Sequence, residues 1–464
     1  MKTSTKLIAA VVVACGAYAA TSWWLGGQVQ TQYTARLDRA QQALAGKLTW
    51  QRSYHRGLFS SSQDLVMEIP VADAGASPDQ APVRITLHSN IRHGPLVGGK
   101  PVAAVDHTRV ESVEGLPSEL VDNVKLDGQL TVTTVQSLNG KWRSDVRAPG
   151  GTAMLSPDGQ DGTVNATWQP LRAEVRGDSS YRVIDSTAQW PGLQAEVVQA
   201  GRQAALTLTD WSSRHHVELD ADAWLLTPAH LSASVSSIQL TETSAGPADA
   251  ATPTLNLSNV DYDLDRSVSG SFVELQQNLS AEGQFGAIRL DQLAVEQSWQ
   301  RLDLQALREL QPLLIAAAFS DDPASVLNES ALEPILRRLA DAGPSHSERV
   351  SAIVDGAAGH LQWRLALAPK TDADSALGLE LPLQFELLPR LSGNAELLLP
   401  ESWLPAIAQQ VQETGGPSAQ ELQAQLDELV AQGLLRKESE SYTLDAEYGN
   451  GRLSVNGQTV FGLR

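Results

Sequence analysis

The run Tyr54-His55-Arg56-Gly57-Leu58-Phe59-Ser60-Ser61 gathers a phenol, an imidazole, a guanidinium and two hydroxyls within one short stretch. Such groups could serve as base, anion partner and nucleophile. The same run could equally be the entry to a strand. No stronger catalytic pattern accompanies it. The chain lacks a phosphate loop, a G-x-S-x-G elbow and an H-E-x-x-H helix. Its one cysteine, Cys15, lies in the apolar N-terminal run. That leaves no intrachain disulfide and no thiol nucleophile in the folded part.

Metal-binding patterns are equally thin. His215 and His216 are adjacent, so on a strand they point to opposite faces and cannot chelate together. His88 and His93 have a more workable spacing, but no second pair of ligands stands near them in sequence. Asp261, Asp263 and Asp265 begin like a calcium loop. Arg266 occupies the position that needs glycine, and Phe272 the one that needs a carboxylate. With Val260, Tyr262 and Leu264 interleaved, the segment reads as an alternating strand. The spacing singles out no pair of carboxylates for hydrolysis. On residues alone, no catalytic residue, metal or cofactor is assigned, and the reading is of a non-enzyme.

The elements that must position these groups begin at the N-terminus. Lys2 and Lys6 precede an uncharged stretch of 21 residues, Leu7 to Gly27, close to the roughly 20 that a spanning helix needs. Trp23 and Trp24 fall at its far end, where aromatic rings favour a membrane interface. A cleaved signal with Ala17-Tyr18-Ala19 as its site and a lipoprotein signal ending at Cys15 are the competing readings. The length and the tryptophan pair favour an uncleaved signal anchor (1–27). An amphipathic helix (28–46) follows, with Val29, Tyr33, Leu37, Ala40 and Leu44 on one face. It is expected to pack on its own domain rather than form a dimer seam.

The periodicity then switches to two. Leu65, Met67 and Ile69 alternate with polar residues, as do Val83, Ile85, Leu87 and Ile91. Asn139-Gly140, Asn450-Gly451 and Asn456-Gly457 mark tight hairpins, and the loop-like composition of 242–254 marks a linker. The second half adds helices. Asp303 caps one carrying Leu304, Leu307, Leu310 and Leu314; a helix or helix pair is expected to break at Pro334; Ser418 and Glu421 form a capping box, with Gly433 as its stop. The expected fold class is α+β: an N-terminal transmembrane helix, then mainly antiparallel β-sheet with packed helices in the C-terminal half. Its soluble parts are a β-rich region (47–245) and an acidic α+β region (246–464).

Charge narrows the partners. The net charge is -20, with 20 Lys+Arg against 23 Asp+Glu in 1–245 and 14 against 31 in 246–464. Nucleic acid is excluded, because phosphate binding wants a basic surface. A folded part without thiols suits an oxidising compartment.

The run Tyr54-x-Arg56-Gly57-x-Phe59-Ser60-Ser61 after an anchor and a short helix resembles the hallmark of the bacterial YdgA family. His93-Gly94-Pro95 resembles a second element of that family, and the C-terminal helix with its Gly-rich hairpin looks like the family's ending. The resemblance implies an envelope protein of unassigned activity, anchored in the inner membrane as a single-pass protein with its bulk in the periplasm. It implies no catalytic residues. The motif residues are therefore expected to define the fold: Gly57 turning the chain from helix to strand, Arg56 bridging carbonyls or a carboxylate, Phe59 starting a buried face. The expected partners are the inner membrane and a lipid or envelope protein, with a homo-oligomer left open; a hydrolase site assembled only in the fold is the alternative.

Overall fold

A computed structural model describes residues 15, 17–31, 34, 37, 49–69, 82–116, 122–156, 162–180, 182–199, 202–218, 227–244, 252–286, 288–318, 322–371, 386–412 and 416–462. Antiparallel strand dominates them. The chain falls into two compact units. One comprises Met1–Ser156, Val164–Pro191 and Ala318–Pro323; the other comprises Pro157–Thr163, Gly192–Ala317 and Ala324–Arg464.

Two expectations are corrected here. No helix among the described residues is long and apolar enough to cross a membrane. The α+β class with a transmembrane helix gives way to a mainly antiparallel sheet, and the single-pass inner-membrane placement falls with it. Residues 17–31 are helical, but one side of this helix is committed to protein: Ser22, Leu25 and Val29 are buried, and the Tyr18 hydroxyl donates to the Leu96 carbonyl at 2.7 Å. Trp23 and Trp24 are exposed, and among the described residues no membrane-crossing helix stands beside them. The start of the apolar stretch, and positions Tyr33, Ala40 and Leu44, lie outside the described residues.

In the first unit, Thr49–Arg56 (β1), Ser60–Ile69 (β2), Val83–His93 (β3) and Val102–Glu114 (β4) form an antiparallel meander. It continues through Thr131–Ser137, Trp142–Ala148 and Leu171–Gly177. Between the first two of these, Gly140 takes φ +83, as the Asn-Gly turn requires. Val29 of the helix packs with Ile91, Ala104 and Tyr54 of the sheet. Val29 and Ile91 each contribute about 1.5–3 kcal/mol when fully buried.

The second unit extends the same grammar through long strands from Arg202–Glu218 to Leu391–Pro400, and then Ser441–Gly449. Leu279, Val295, Val350, Leu361, Leu397 and Leu444 are successive cross-strand partners on six strands. They form one aliphatic stripe on one face. At its C-terminal end the helices Leu404–Gln412 and Ala419–Ala431 close over it, and Leu397 and Leu444 join the buried cluster of Leu404, Leu435 and Tyr442. In its middle Leu361 stays 44% exposed, as does Leu365 nearby at 45%.

The helix termini follow local chemistry. Asp303 accepts from Ala306 N at 2.8 Å and starts the helix Leu304–Ala318. The Ser418–Glu421 capping box is formed, and Gly433 sits at φ +77 beyond that helix. The expected break at Pro334 moves to Asn328, whose side chain accepts from Ala331 N and opens the helix Glu329–Asp341. Pro334 is carried inside it. The segment Asp261–Asp265 is strand, as its alternation implies.

Candidate functional site

The two sequence motifs, 32 residues apart at Ser61 and His93, meet at one corner where the helix crosses the start of the sheet. Cross-strand register explains the meeting. Arg56 opposes Ser61, Ser61 opposes Ile91, and Ile91 opposes Asp106. Next to this row, Tyr54 opposes Gln63, Gln63 opposes Ser89, and Ser89 opposes Thr108. Side chains of period two therefore place a band of polar groups on the face that the helix covers.

The hairpin from β1 to β2 is tightened by Gly57 N donating to Ser60 O at 2.8 Å. A Cβ on Gly57 would stand 2.7 Å from that carbonyl, so close approach is what demands glycine. This corrects the expected role: Gly57 joins strand to strand, and its φ is not positive. Phe59 precedes β2 and is 47% exposed, so the buried face begins at Ser61 instead. The Phe59 ring lies 5.8 Å from that of Tyr18. The Arg56 guanidinium donates to the Trp23 carbonyl and lies 4.3 Å over the Trp23 ring, which gives it both a hydrogen bond and a cation–π contact.

His93 is the centre of the corner, 2% exposed. Its Nδ1 lies 2.9 Å from the Ser22 carbonyl and its Nε2 lies 3.1 Å from Ser61 Oγ. A carbonyl can only accept, so Nδ1 carries the proton and the neutral ring accepts at Nε2 from the Ser61 hydroxyl. Burial holds the His93 pKa below its ordinary value; the carbonyls of Ser22 and Ser60 oppose the shift, and the Arg56 charge adds to it. Gly94, at φ +148, leaves room for Ser22, whose Oγ would be 2.6 Å from a Cβ there. Pro95 follows it into the turn that Tyr18 grips at Leu96.

Several groups at this corner escape sequence reasoning. Gln63 and Asp106 are inward polar residues on strands whose alternation suggests apolar ones, and Ser22 and Tyr18 look like part of a greasy run. Among the described residues, Gln63 Nε2, Ser22 Oγ, Tyr54 OH and Arg56 Nε are all shielded from solvent without a hydrogen-bond partner. Burial raises the Tyr54 phenol, with the Asp106 carboxylate adding to the shift and both Ser61 and Arg56 working against it.

The opposite face of the same strands carries the residues that could hold a metal. Asp64 opposes His88, and their Oδ1 and Nδ1 are 2.6 Å apart. A β-bulge leaves Glu111 as the extra residue between Leu87↔Val110 and Thr86↔Ser112, and bulges re-aim side chains. Ligand atoms of Asp64, His88 and Glu111 come within 4.8 Å of one another. His88 and His93 do not cooperate, since His93 faces the helix instead. His215 opposes Leu231, while His216 opposes His230, which pairs with Asp265 at 2.7 Å.

A family model described as a bacterial protein of unknown function (DUF945) matches residues 1–461. The chain belongs to that family. Both motifs of this DUF945 chain lie within the matched span, and the description assigns it no activity. No curated protein and no solved structure matches the DUF945 chain.

Proposed function

We propose that this DUF945 protein is a non-enzymatic binding protein that takes an extended aliphatic chain, such as that of a fatty acid or lipid, along the stripe of its second unit. The observation that carries the reading is the unbroken row Leu279–Val295–Val350–Leu361–Leu397–Leu444 with its exposed middle. The four residues outside the helix-covered cluster, Leu279 to Leu361, span three strand intervals, roughly 14 Å. Its exposed leucines, Leu361 and Leu365, offer far less than the roughly 800 Å² that a stable protein partner buries on each side. A chain-shaped apolar ligand fits that outline. The resemblance of the Tyr54–Ser61 run to YdgA proteins, which implies no catalytic residues, supports the same reading.

The test is titration of the full chain with cis-parinaric acid, whose fluorescence rises when it leaves water. Saturable binding, weakened about tenfold, or roughly 1.4 kcal/mol, in Leu361→Asp, is the expected result. Absence of saturable binding, or identical binding by Leu361→Asp, removes the proposal.

One observation favours a second reading, hydrolysis. Ser61, His93 and the Ser22 carbonyl have the order nucleophile, base and orienting acceptor, the logic of an activated serine. Ser61 is only 6% exposed, so a substrate could reach it only with the helix displaced. Labelling of Ser61 by a fluorophosphonate, lost in His93→Ala, is what this reading requires. A full chain that stays unlabelled rules it out.

A further inference from the structure

The face of the second unit that lies opposite the aliphatic stripe holds a cavity of ≈ 320 Å³, lined by Gln300, Ser345, Ser347, Gln362, Arg364 and Asn394. Its construction follows from register. Ser298, Ser347, Arg364 and Asn394 are successive cross-strand partners on four strands. Gln300 and Ser345 oppose each other on one side of that row, and Gln362 lies two residues from Arg364 on the other. Period two aims all of them to the same side.

Among the described residues, none of these side chains has a hydrogen-bond or ion-pair partner. Ser298 Oγ is shielded from solvent and still unpaired. The chain carries a net charge of -20, yet Arg364 holds no carboxylate. A free guanidinium offers the planar two-pronged grip that suits a carboxylate or phosphate. The surrounding amides and hydroxyls both donate and accept, as sugar hydroxyls require. Carboxylates stand beside this row on the same face. Glu447 opposes Asn394 one strand further on, and Glu396, which opposes Gln362, lies 3.4 Å from His360. With one guanidinium among the lining residues, the charge this wall can pair is that of a single oxyanion.

We propose that this cavity binds a small polyhydroxylated ligand carrying one oxyanion, a sugar acid or sugar phosphate, with the oxyanion on Arg364 and the hydroxyls on the amide and serine side chains. The volume sits at the lower end of the roughly 300–1,000 Å³ of small-molecule sites, in keeping with a single sugar. This site is on the other side of the sheet from the aliphatic stripe and does not rest on what binds there.

The experiment is calorimetric titration of the full chain with glucuronate, glucose 6-phosphate, glucose and inorganic phosphate. Glucuronate or glucose 6-phosphate should bind at least about tenfold tighter than both glucose and inorganic phosphate. Arg364→Gln should lose that advantage while keeping its melting temperature and its far-UV circular dichroism spectrum. Asn394→Asp, which sets a carboxylate beside Arg364, should do the same and serves if Arg364→Gln fails to fold. Charged sugars that bind no better than glucose overturn the proposal. So does inorganic phosphate alone matching glucose 6-phosphate, which marks an adventitious ion only, and so does wild-type affinity in either variant.

Discussion

The α-carbon of Gly26 faces the ring of His93 so closely that a methyl group there would stand 2.6 Å from Cε1 and 2.8 Å from Nδ1. The ring is buried and held at both nitrogens, so it has nowhere to go. Gly26→Ala should therefore destabilise the first unit, since overpacking costs about 1–3 kcal/mol and the gain in helix propensity returns only about 1 kcal/mol. At Gly27 the same methyl would meet the Arg56 guanidinium at 3.0 Å, the far end of a long side chain. Gly27→Ala should cost less. Urea midpoints of the two variants, side by side, check the order.

Acid should loosen the same corner. The His93 pKa is lower in the folded protein than in the unfolded chain, principally through burial. The unfolded chain then binds more protons in the window between the two values, and stability rises with pH across it. The contribution is complete above the ordinary histidine value of about 6.5 and is lost as pH falls from there through the folded value. The stability advantage of wild type over His93→Asn should therefore shrink between neutral and mildly acidic pH. Urea unfolding at both pH values measures it; a constant difference contradicts the assignment.

Arg390 ties the end of the helix Glu329–Asp341 to the start of the strand Leu391–Pro400. Its Nε donates to the Ala368 carbonyl at 2.9 Å, Nη2 to the Ala340 carbonyl at 2.5 Å and Nη1 to Asp341 Oδ1 at 3.1 Å. The side chain is 11% exposed. Arg390→Met leaves these acceptors bare and should cost about 3 kcal/mol. Arg390→Lys, with one ammonium for three directions, should recover less than half of it. Thermal unfolding of the pair gives the answer.

A smaller effect is expected at Ser418. Its hydroxyl accepts from Glu421 N, and its own N–H is taken by the Glu421 carboxylate at 2.7 Å, which holds the Glu421 pKa below its ordinary value. Ser418→Ala should lower stability by about 1 kcal/mol, with hydrogen exchange rising first in the turn after Ser418.

What the sequence discloses is the local chemistry. Asn450-Gly451 and Asn456-Gly457 all have positive φ, because those residue types tolerate the left-handed region that tight hairpins need. The Asp303 and Ser418 caps are equally local. Packing is not disclosed. Gln63 and Asp106 are polar yet inward, and a polar residue on an alternating strand ordinarily signals the outer face. The run from Tyr18 to Val29 is apolar enough to suit lipid; what decides its place is that Gly94 and Gly26 leave it room to dock, a fit between residues about 70 positions apart that no period in the chain reveals. The break at Asn328 rather than Pro334 shows a cap setting the boundary, while Pro334, the sixth residue of the helix, is carried at the loss of one backbone hydrogen bond.

In the strands from Ile288 to Pro400, neighbouring residues serve opposite sides: Val350 and Leu361 belong to the stripe, Ser347 and Gln362 to the cavity wall. A slip of a single position anywhere among them would exchange the two surfaces, placing grease where amides stand and amides where grease stands. Neither surface can drift without the other, so an insertion in one of these strands should abolish both at a stroke, whereas an insertion in a connecting loop should spare both.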